Sequence, residues 1–354
     1  MPARSDEPSS TADARNDLES AIRRLVSEAG VAHDARLVSR LVTEALGLGV
    51  DGADRLDLKI ATRTLTELRA AVQVFGPYRD VRKVAIFGSA RTRPDEPAYA
   101  CARDVAAALA ARGWMIITGG GPGVMTAGVE GAGRERSFGV TIDLPFEPSD
   151  SNPLHGDPKN VSFRYFFNRK LTFMKEASGY VLLPGGFGTM DEAFELLTLM
   201  QTGRETPSPV VLFEPAGDAY WRSFRHFLEV ELADAGLIDP EDLDLFHITS
   251  DVEAACDHIC DFFRVFHSMR YVDGRLVIRL NREVSDSAID ELSERFADLL
   301  TAGRIERCGV SDAELADHDE VDRPRITLQF GRHHHGRLHA LIRALNEYGD
   351  TGPT

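Results

Sequence analysis

The chain has 354 residues, of which 43% are hydrophobic and 27% are charged, so it is long enough for two or three globular domains. Asp and Glu outnumber Lys and Arg by 56 to 40, and the formal charge of −16 opposes binding to nucleic acid or acidic membranes. Apolar runs last a few residues, far short of the roughly 20 that a membrane-spanning helix needs. We therefore expect neither nucleic acid nor a membrane as a partner.

The N-terminal segment predicts helices rather than a sheet. Residues 1–17 carry acidic and hydroxyl side chains where a signal peptide has an apolar core, which indicates a disordered leader on a cytoplasmic protein. Apolar residues then recur at helical spacing over 18–29, 35–48 and 56–75, and we expect a helical extension over residues 18–80. The four cysteines are scattered, which favours free thiols in a reducing compartment.

Residues 81–268 alternate between short apolar runs and helical patterns. Strands are predicted at 83–88, 114–118, 138–144, 161–167, 180–183, 209–213 and 245–249. Helices are predicted at 99–112, 123–133, 169–177, 189–201, 221–235 and 252–266. Nearly continuous apolar strands between helices are typical of a parallel sheet covered on both faces. The pattern predicts a doubly wound, Rossmann-like α/β domain.

The pattern changes again in residues 269–354. Strands are predicted at 275–280, near 304–308 and at 325–330, and helices at 285–300 and 337–348. We interpret this βαββα pattern as a separate small α+β domain that senses a small effector. Its acidic run, residues 312–322, predicts a solvated loop.

Glycine concentrates at three junctions between a predicted strand and the next helix. The residues concerned are Gly88, Ser89, Gly119, Gly120, Gly121, Gly123, Gly185, Gly186 and Gly188. Such junctions share the carboxyl edge of a parallel sheet, where ligands bind. Helix starts offer unpaired N–H groups to a phosphate, and glycine leaves room for its approach. One loop alone indicates a tight turn, whereas several predict a phosphate site, and the absence of Walker and dinucleotide spacings favours a mononucleotide.

The nine residues Pro184-Gly-Gly-Phe-Gly-Thr-Met-Asp-Glu192 match PGGxGTxxE. With Gly119-Gly-Gly-Pro-Gly-Val-Met125, they resemble the Lonely Guy family of cytokinin riboside 5'-monophosphate phosphoribohydrolases, whose members are often mislabelled lysine decarboxylases. The resemblance covers roughly residues 81–265. It implies hydrolysis of the N-glycosidic bond of a nucleoside 5'-monophosphate by a homodimer or larger homo-oligomer. The segments 165–170 and 201–203 are similar to longer bacterial members, including nucleotide 5'-monophosphate nucleosidases.

The resemblance also implies roles for particular residues. Arg169 and Glu192 match the catalytic pair, in which the carboxylate stabilises the sugar cation or orients the attacking water. A Glu near a helix start also complements the helix dipole without any catalytic role. Thr189 offers a hydroxyl and an N–H to phosphate. Lys170 and Thr198 match substrate-contact positions, with a solvated charge and an ordinary helix residue as the alternatives.

The substrate is left open between related nucleotides. Residues 145–160 depart from the short plant-type pattern, so AMP or a related monophosphate is expected rather than a cytokinin nucleotide alone. His155 in this segment either contacts the base or is solvated. The alternative function is a non-catalytic nucleotide or molybdenum-cofactor carrier, since a related group with this fold carries that cofactor. A carrier has no need of a carboxylate at the sugar.

Other candidate sites are weaker. Cys256 and Cys260 share a helix face and favour core packing over zinc. The histidines 333–335 and His339 are expected at the surface, where they would chelate a metal weakly. Ser89 lacks the nucleophile-elbow pattern, and no residue marks a pyridoxal-binding lysine. We therefore expect an enzyme that uses neither a metal nor a cofactor.

Overall fold

The computed structural model describes residues 9–143, 152–331 and 334–348, and the chain divides into two compact units, residues 1–67 and 68–354. Within the described ranges, none of the helices combines the length and the apolar character needed to cross a membrane. The first unit is helical and the second contains two sheets.

The helices of the N-terminal segment follow the predicted apolar spacing. α1 (Ser9–Glu28) packs against α2 (Ala35–Val50), and α3 (Arg55–Phe75) begins in the first unit and ends in the second. α1 starts inside the predicted leader of residues 1–17, because the alanines after its first residue favour helix. Residues 1–8 of that leader lie outside the described residues.

A seven-stranded parallel sheet forms the centre of the second unit. Its strands are β1 (Lys83–Phe87), β2 (Met115–Thr118), β3 (Ser137–Ile142), β4 (Asn160–Phe163), β5 (Gly179–Leu182), β6 (Val210–Phe213) and β7 (His247–Thr249). Their spatial order is β4-β3-β2-β1-β5-β6-β7. The chain moves outward from β1 to β4 and then crosses back to β5, so β1 and β5 flank the topological switch point. The predicted doubly wound, Rossmann-like architecture is confirmed.

Helices cover both faces of this sheet. They are α4 (Pro97–Ala111), α5 (Val124–Ala132), α6 (Phe166–Glu176), α7 (Phe187–Gln201), α8 (Tyr220–Phe227) and α9 (Val252–Asp261). Successive residues of β1 point into opposite cores, because side chains alternate along a strand. Ala85 and Phe87 join the core that contains Phe138, whereas Ile86 joins the core that contains Leu109.

Two predicted boundaries in this region are wrong. The sequence predicts a strand over 161–167, yet β4 ends at Phe163 and α6 begins at Phe166. The aromatic run has high strand propensity, but here the chain has reached the edge of the sheet and must turn away from it. The helix predicted at 221–235 ends earlier as an α-helix and continues as a π-helical turn over Leu228–Ala233.

The C-terminal region forms a four-stranded antiparallel sheet in the order β10-β11-β9-β8. Its elements are β8 (Phe266–Val272), β9 (Arg275–Leu280), α10 (Asp286–Arg295), β10 (Leu300–Arg307), α11 (Asp312–Asp317), β11 (Arg325–Phe330) and α12 (His335–Glu347). The helix predicted at 252–266 ends at Asp261, and β8 was not predicted at all. The missed signal is the hairpin turn at Asp273 and Gly274, both with positive φ (47° and 82°), which pairs β8 with β9.

This C-terminal sheet has its own core but belongs to the same compact unit as the parallel sheet. Asn346 on α12 joins them: its Nδ2 donates to the carbonyl of Phe262 (2.6 Å), and its Oδ1 accepts from the amides of Val265 (2.7 Å) and Phe266 (3.0 Å). His339 on the same helix contacts the carbonyl oxygen of Ser208 through Nε2 (3.2 Å). The boundary predicted between residues 268 and 269 is therefore crossed by buried hydrogen bonds.

Two predictions about polar residues here are wrong. The acidic run 312–322 contains α11, and Glu314 on that helix is fully buried and pairs with Arg279 (2.9 Å). His335 and His339 are also buried instead of lying at the surface, because α12 packs against the rest of the unit. His333 lies outside the described residues.

Candidate active site

The three glycine-rich loops meet at the carboxyl edge of the parallel sheet. The amide of Ser89 donates to the carbonyl of Pro184 (3.3 Å), and the carbonyl of Ser89 accepts from the amide of Val124 (3.1 Å). The loop after β1 is thus hydrogen-bonded to the loop after β5 and to the start of α5. The predicted convergence is confirmed, since residues of all three loops line one cleft.

Close approaches explain several of the glycines. Gly123 has φ of 68°, and a Cβ there would collide with the carbonyl oxygen of Ser89. A Cβ on Gly119 would lie 2.5 Å from Nη2 of Arg169. Gly186 and Gly188, in contrast, have open space around the position of a Cβ, which leaves the start of α7 accessible to a ligand.

A cleft of about 1200 Å³ lies between these loops, which is large enough for a nucleotide. Among the predicted site residues, those that line it are Gly88, Ser89, Gly119, Gly120, Gly121, Arg169, Gly185, Gly186, Gly188, Thr189 and Glu192. α5 and α7 both begin at this cleft, so their first N–H groups and positive dipole ends favour an anion there. Gly123 caps α5 next to the cleft and is not part of its lining.

Glu192 is a buried carboxylate in the wall of this cleft. It lies on the second turn of α7 and is 6% exposed. Its Oε2 has no hydrogen-bond partner among the described residues. Burial raises the pKa of Glu192 to about 7, and the nearby charges of Lys170 and Arg169 oppose that rise without cancelling it. An acid that titrates near neutral pH in a cleft is typical of a functional group.

Arg169 brings a positive charge to the same wall. It lies on the first turn of α6, where its Nε donates to the carbonyl of Val140 (2.9 Å) and its guanidinium carbon lies 5.4 Å from the ring centre of Phe173. The guanidinium also lies next to Gly119, as described above. The structure therefore brings Arg169 and Glu192, which are distant in sequence, to one cleft.

The other predicted contact residues divide into two groups. Thr189 is buried and lines the cleft beneath Gly185. Lys170 and Thr198 do not line it. Lys170 pairs with Asp191 (2.9 Å) and Glu195 (2.6 Å), and although burial lowers its pKa, these two hydrogen bonds raise the pKa above its ordinary value.

Several cleft residues were not predicted from the sequence. They are Arg91, Thr141, Asp143, Asn152, Asn160, Ser162, Phe166, Phe187 and Tyr220. Thr141 and Asp143 could have been predicted, since they lie at the end of β3 and just beyond it, at the carboxyl edge of the sheet where ligands bind. Tyr220 has no comparable signal, because its role depends on a contact with a loop 35 residues away. His155 lines the exposed rim of the cleft.

The structure gives no sign of a metal centre in the part of the chain that it describes. There, no group of three or more His, Cys, Asp or Glu side chains lies close enough to hold a metal ion. Cys256 is fully buried in the core and both Cys256 and Cys260 are free thiols, so their predicted packing role is confirmed.

The fold and the cleft define a doubly wound α/β protein with a ligand site at its topological switch point. A family model described as "Possible lysine decarboxylase" matches residues 116–259. The cytokinin riboside 5'-monophosphate phosphoribohydrolase of Mycobacterium marinum is 33% identical over 136 residues, 38% of this chain and 70% of that protein. The protein of the same name from Mycobacterium tuberculosis is 28% identical over 156 residues, 44% of this chain and 81% of that protein. The chain belongs to this family, the Lonely Guy phosphoribohydrolases.

Solved structures also match about half of the chain. The structure of TM1055 has a TM-score of 0.36 and 23% identity, over 49% of this chain and 96% of that one. The molybdenum cofactor carrier protein of Chlamydomonas reinhardtii has a TM-score of 0.35 and 22% identity, over 50% of this chain and 94% of that one.

Proposed function

We propose that this protein hydrolyses the N-glycosidic bond of a nucleoside 5'-monophosphate and releases the free base and ribose 5-phosphate. The observation that carries the proposal is Glu192, a buried carboxyl group with an unpartnered oxygen in a cleft bordered by two helix starts. The names of the relatives support the same reaction class.

The cleft offers a separate group for each end of the substrate. The 5'-phosphate binds at the accessible start of α7, where N–H groups, the helix dipole and Gly186 and Gly188 accommodate an anion. The ribose then lies next to Glu192. Cleavage passes through a sugar with oxocarbenium character, and an ionised carboxylate stabilises that positive charge or orients the attacking water.

Arg169 completes the site. Its guanidinium remains charged at all relevant pH values and helps to keep Glu192 ionised above neutral pH. It also offers N–H donors to the ribose hydroxyls or to the departing base. We propose AMP or a related monophosphate as the substrate, with the cytokinin nucleotide named for the relatives as one member of that class.

Further proposals concern the assembly of the protein, its location, Lys170 and the C-terminal region. We propose a cytoplasmic homodimer or larger homo-oligomer that needs no metal or cofactor. Residues 269–354 are proposed to respond to a small effector, and Lys170 to act on the site electrostatically, because its charge lowers the pKa of Glu192.

The test is incubation of the purified protein with a panel of nucleoside 5'-monophosphates, followed by chromatography for free base. Release of base together with an equal amount of ribose 5-phosphate supports the proposal. E192Q is the matched variant: it preserves the shape of the side chain and is expected to lower kcat by about 10² to 10⁴. Tight nucleotide binding with no base released from any member of the panel would instead support the carrier alternative.

A further inference from the structure

The side wall of the cleft contains a tyrosine that neither the sequence motif nor the proposed chemistry accounts for. Tyr220 is the first residue of α8, and its hydroxyl donates to the carbonyl oxygen of Gly185 (2.6 Å). We propose that Tyr220 is a positioning residue that holds the glycine loop of residues 184–189 in its phosphate-binding conformation. This inference rests on the proposed function of the same cleft.

Tyr220 is itself firmly supported. Its ring packs edge-on against Trp221, with ring centres 4.8 Å apart. Trp221 is fully buried, its amide donates to Oε2 of Glu214 (2.8 Å), and its Nε1 donates to the carbonyl of Phe213 at the end of β6 (3.2 Å). The hydroxyl of Tyr220 is therefore fixed relative to the sheet, and the hydrogen bond transmits that rigidity to the loop.

The geometry of the peptide bond gives this contact a direct consequence. The carbonyl of Gly185 and the N–H of Gly186 belong to one planar trans peptide and point in opposite directions. Fixing the carbonyl towards Tyr220 therefore also fixes the N–H of Gly186, at the start of α7. Glycine has more backbone freedom than any other residue, so a loop with Gly185, Gly186 and Gly188 gains the most from such a restraint.

Loss of the Tyr220 hydroxyl is expected to weaken binding of the substrate phosphate. A phosphate on the loop stays bound from the ground state to the transition state, so loss of the restraint weakens both equally. One net hydrogen bond of about 1 kcal/mol corresponds to roughly fivefold in affinity. Y220F is therefore expected to raise KM for AMP about fivefold, with kcat within about twofold of the parent protein.

The experiment compares Y220F with Y99F. Tyr99 is buried on α4, outside the cleft, and its hydroxyl is hydrogen-bonded to Glu130. Each variant loses one tyrosine hydroxyl that has a partner. If the hydroxyl of Tyr220 only stabilised the fold, Y220F would change the melting temperature, as Y99F is expected to, and would leave KM unchanged. The readouts are steady-state kinetics with AMP and calorimetric binding of ribose 5-phosphate.

A selective rise in KM for Y220F, matched by about fivefold weaker binding of ribose 5-phosphate, supports the inference. Unchanged KM and affinity, or a fall in kcat alone, overturns it. If the parent protein releases no base, the proposed function fails, and the ribose 5-phosphate affinities of the two variants still decide the role of Tyr220.

Discussion

Gly119 and Arg169 occupy adjoining space at the carboxyl edge of the sheet: a methyl group on Gly119 would lie 2.5 Å from Nη2 of the arginine. The glycine stands in the loop after β2 and the arginine on α6, so the absence of one side chain creates room for another. The position of the guanidinium therefore depends on a residue that has no functional group.

We expect G119A to displace Arg169 and to lower kcat/KM at least tenfold. The methyl would also lie 2.7 Å from Sδ of Met125, and the folded state changes little because both groups that move are the far ends of flexible side chains. The matched control is G121A, whose methyl also meets the side chain of Met125 (Cε, 2.7 Å) but has no contact with Arg169. Kinetics and urea unfolding of both variants test this prediction, and equal losses of activity would contradict it.

The pH dependence of the reaction follows from the pKa of Glu192, which burial raises to about 7. The proposed role requires the ionised form, so kcat/KM should fall about tenfold per pH unit below pH 7 and level off above it. E192Q should lose most of the activity together with this dependence. A rate that rises as the pH falls through 7 would instead identify Glu192 as a proton donor.

The same carboxyl group should make the protein less stable at high pH. Its pKa is raised on folding, so the folded state binds the proton more tightly than the unfolded chain, and this stabilisation is lost as the pH rises through 7. We expect E192Q to be more stable than the parent by about 3 kcal/mol at pH 8 and by much less at pH 4.5. Denaturant unfolding at the two pH values measures the difference.

The sequence predicts the parts of this site that follow from one rule, namely that loops at the carboxyl edge of a parallel sheet form the ligand site. Parallel topology brings the three glycine loops together, and the motif that ends at Glu192 locates the buried carboxyl group of the cleft. The presence of Tyr220 in the wall of the cleft was not predictable, because this residue reaches the glycine loop through one hydrogen bond to a residue 35 positions away. Lys170 and Thr198 illustrate the reverse case, since matching positions in a motif do not place side chains in the cleft.

Backbone conformation predicts a different effect at Gly123. G123A combines a positive φ with a collision against the carbonyl of Ser89, which is main chain and has little freedom to move. Gly133 has a φ of 81° and a ψ of 152°, a backbone conformation nearly restricted to glycine, but open space surrounds it, so G133A carries only the backbone strain, about 1–3 kcal/mol. We expect G123A to lose at least about 2 kcal/mol more than G133A in urea unfolding, and equal losses would refute the packing argument.

Buried His339 and partly buried His258 predict acid sensitivity. Burial, together with neighbouring His247, His339 and Arg343, lowers the pKa of His258 to about 3. Burial, together with Arg343, lowers the pKa of His339 to about 4. Both are protonated more easily in the unfolded chain, so stability is lost as the pH falls from about 6.5 towards 4, at up to about 1.4 kcal/mol per unit for each.

The check is denaturant unfolding at pH 7.5 and 5.5. We expect H258Q to lose less stability between the two pH values than the parent protein, because one protonation has been removed. H33Q serves as the control, since His33 is exposed in the first unit. An identical pH response in H258Q and the parent would exclude His258 as a source of the sensitivity.

The elements of the C-terminal region show why local patterns were insufficient there. β9 and β11 were predicted with the observed bounds, because alternating apolar residues in them face the core. Glu314 was assigned to a solvated run, since nothing local reveals that Arg279 on β9 approaches it. The burial of His335 and His339 likewise arises from packing between distant segments.

The side chain of Asn346 determines how the terminal region can be studied. The side-chain amide of Asn346 is hydrogen-bonded to main-chain groups just before and within β8. Truncation at residue 269 would remove these hydrogen bonds and leave the main-chain groups without a partner. Such a shortened chain is expected to aggregate instead of reporting on ligand sensing. Single changes on the outward side of the antiparallel sheet are the informative route to any regulatory role of this region.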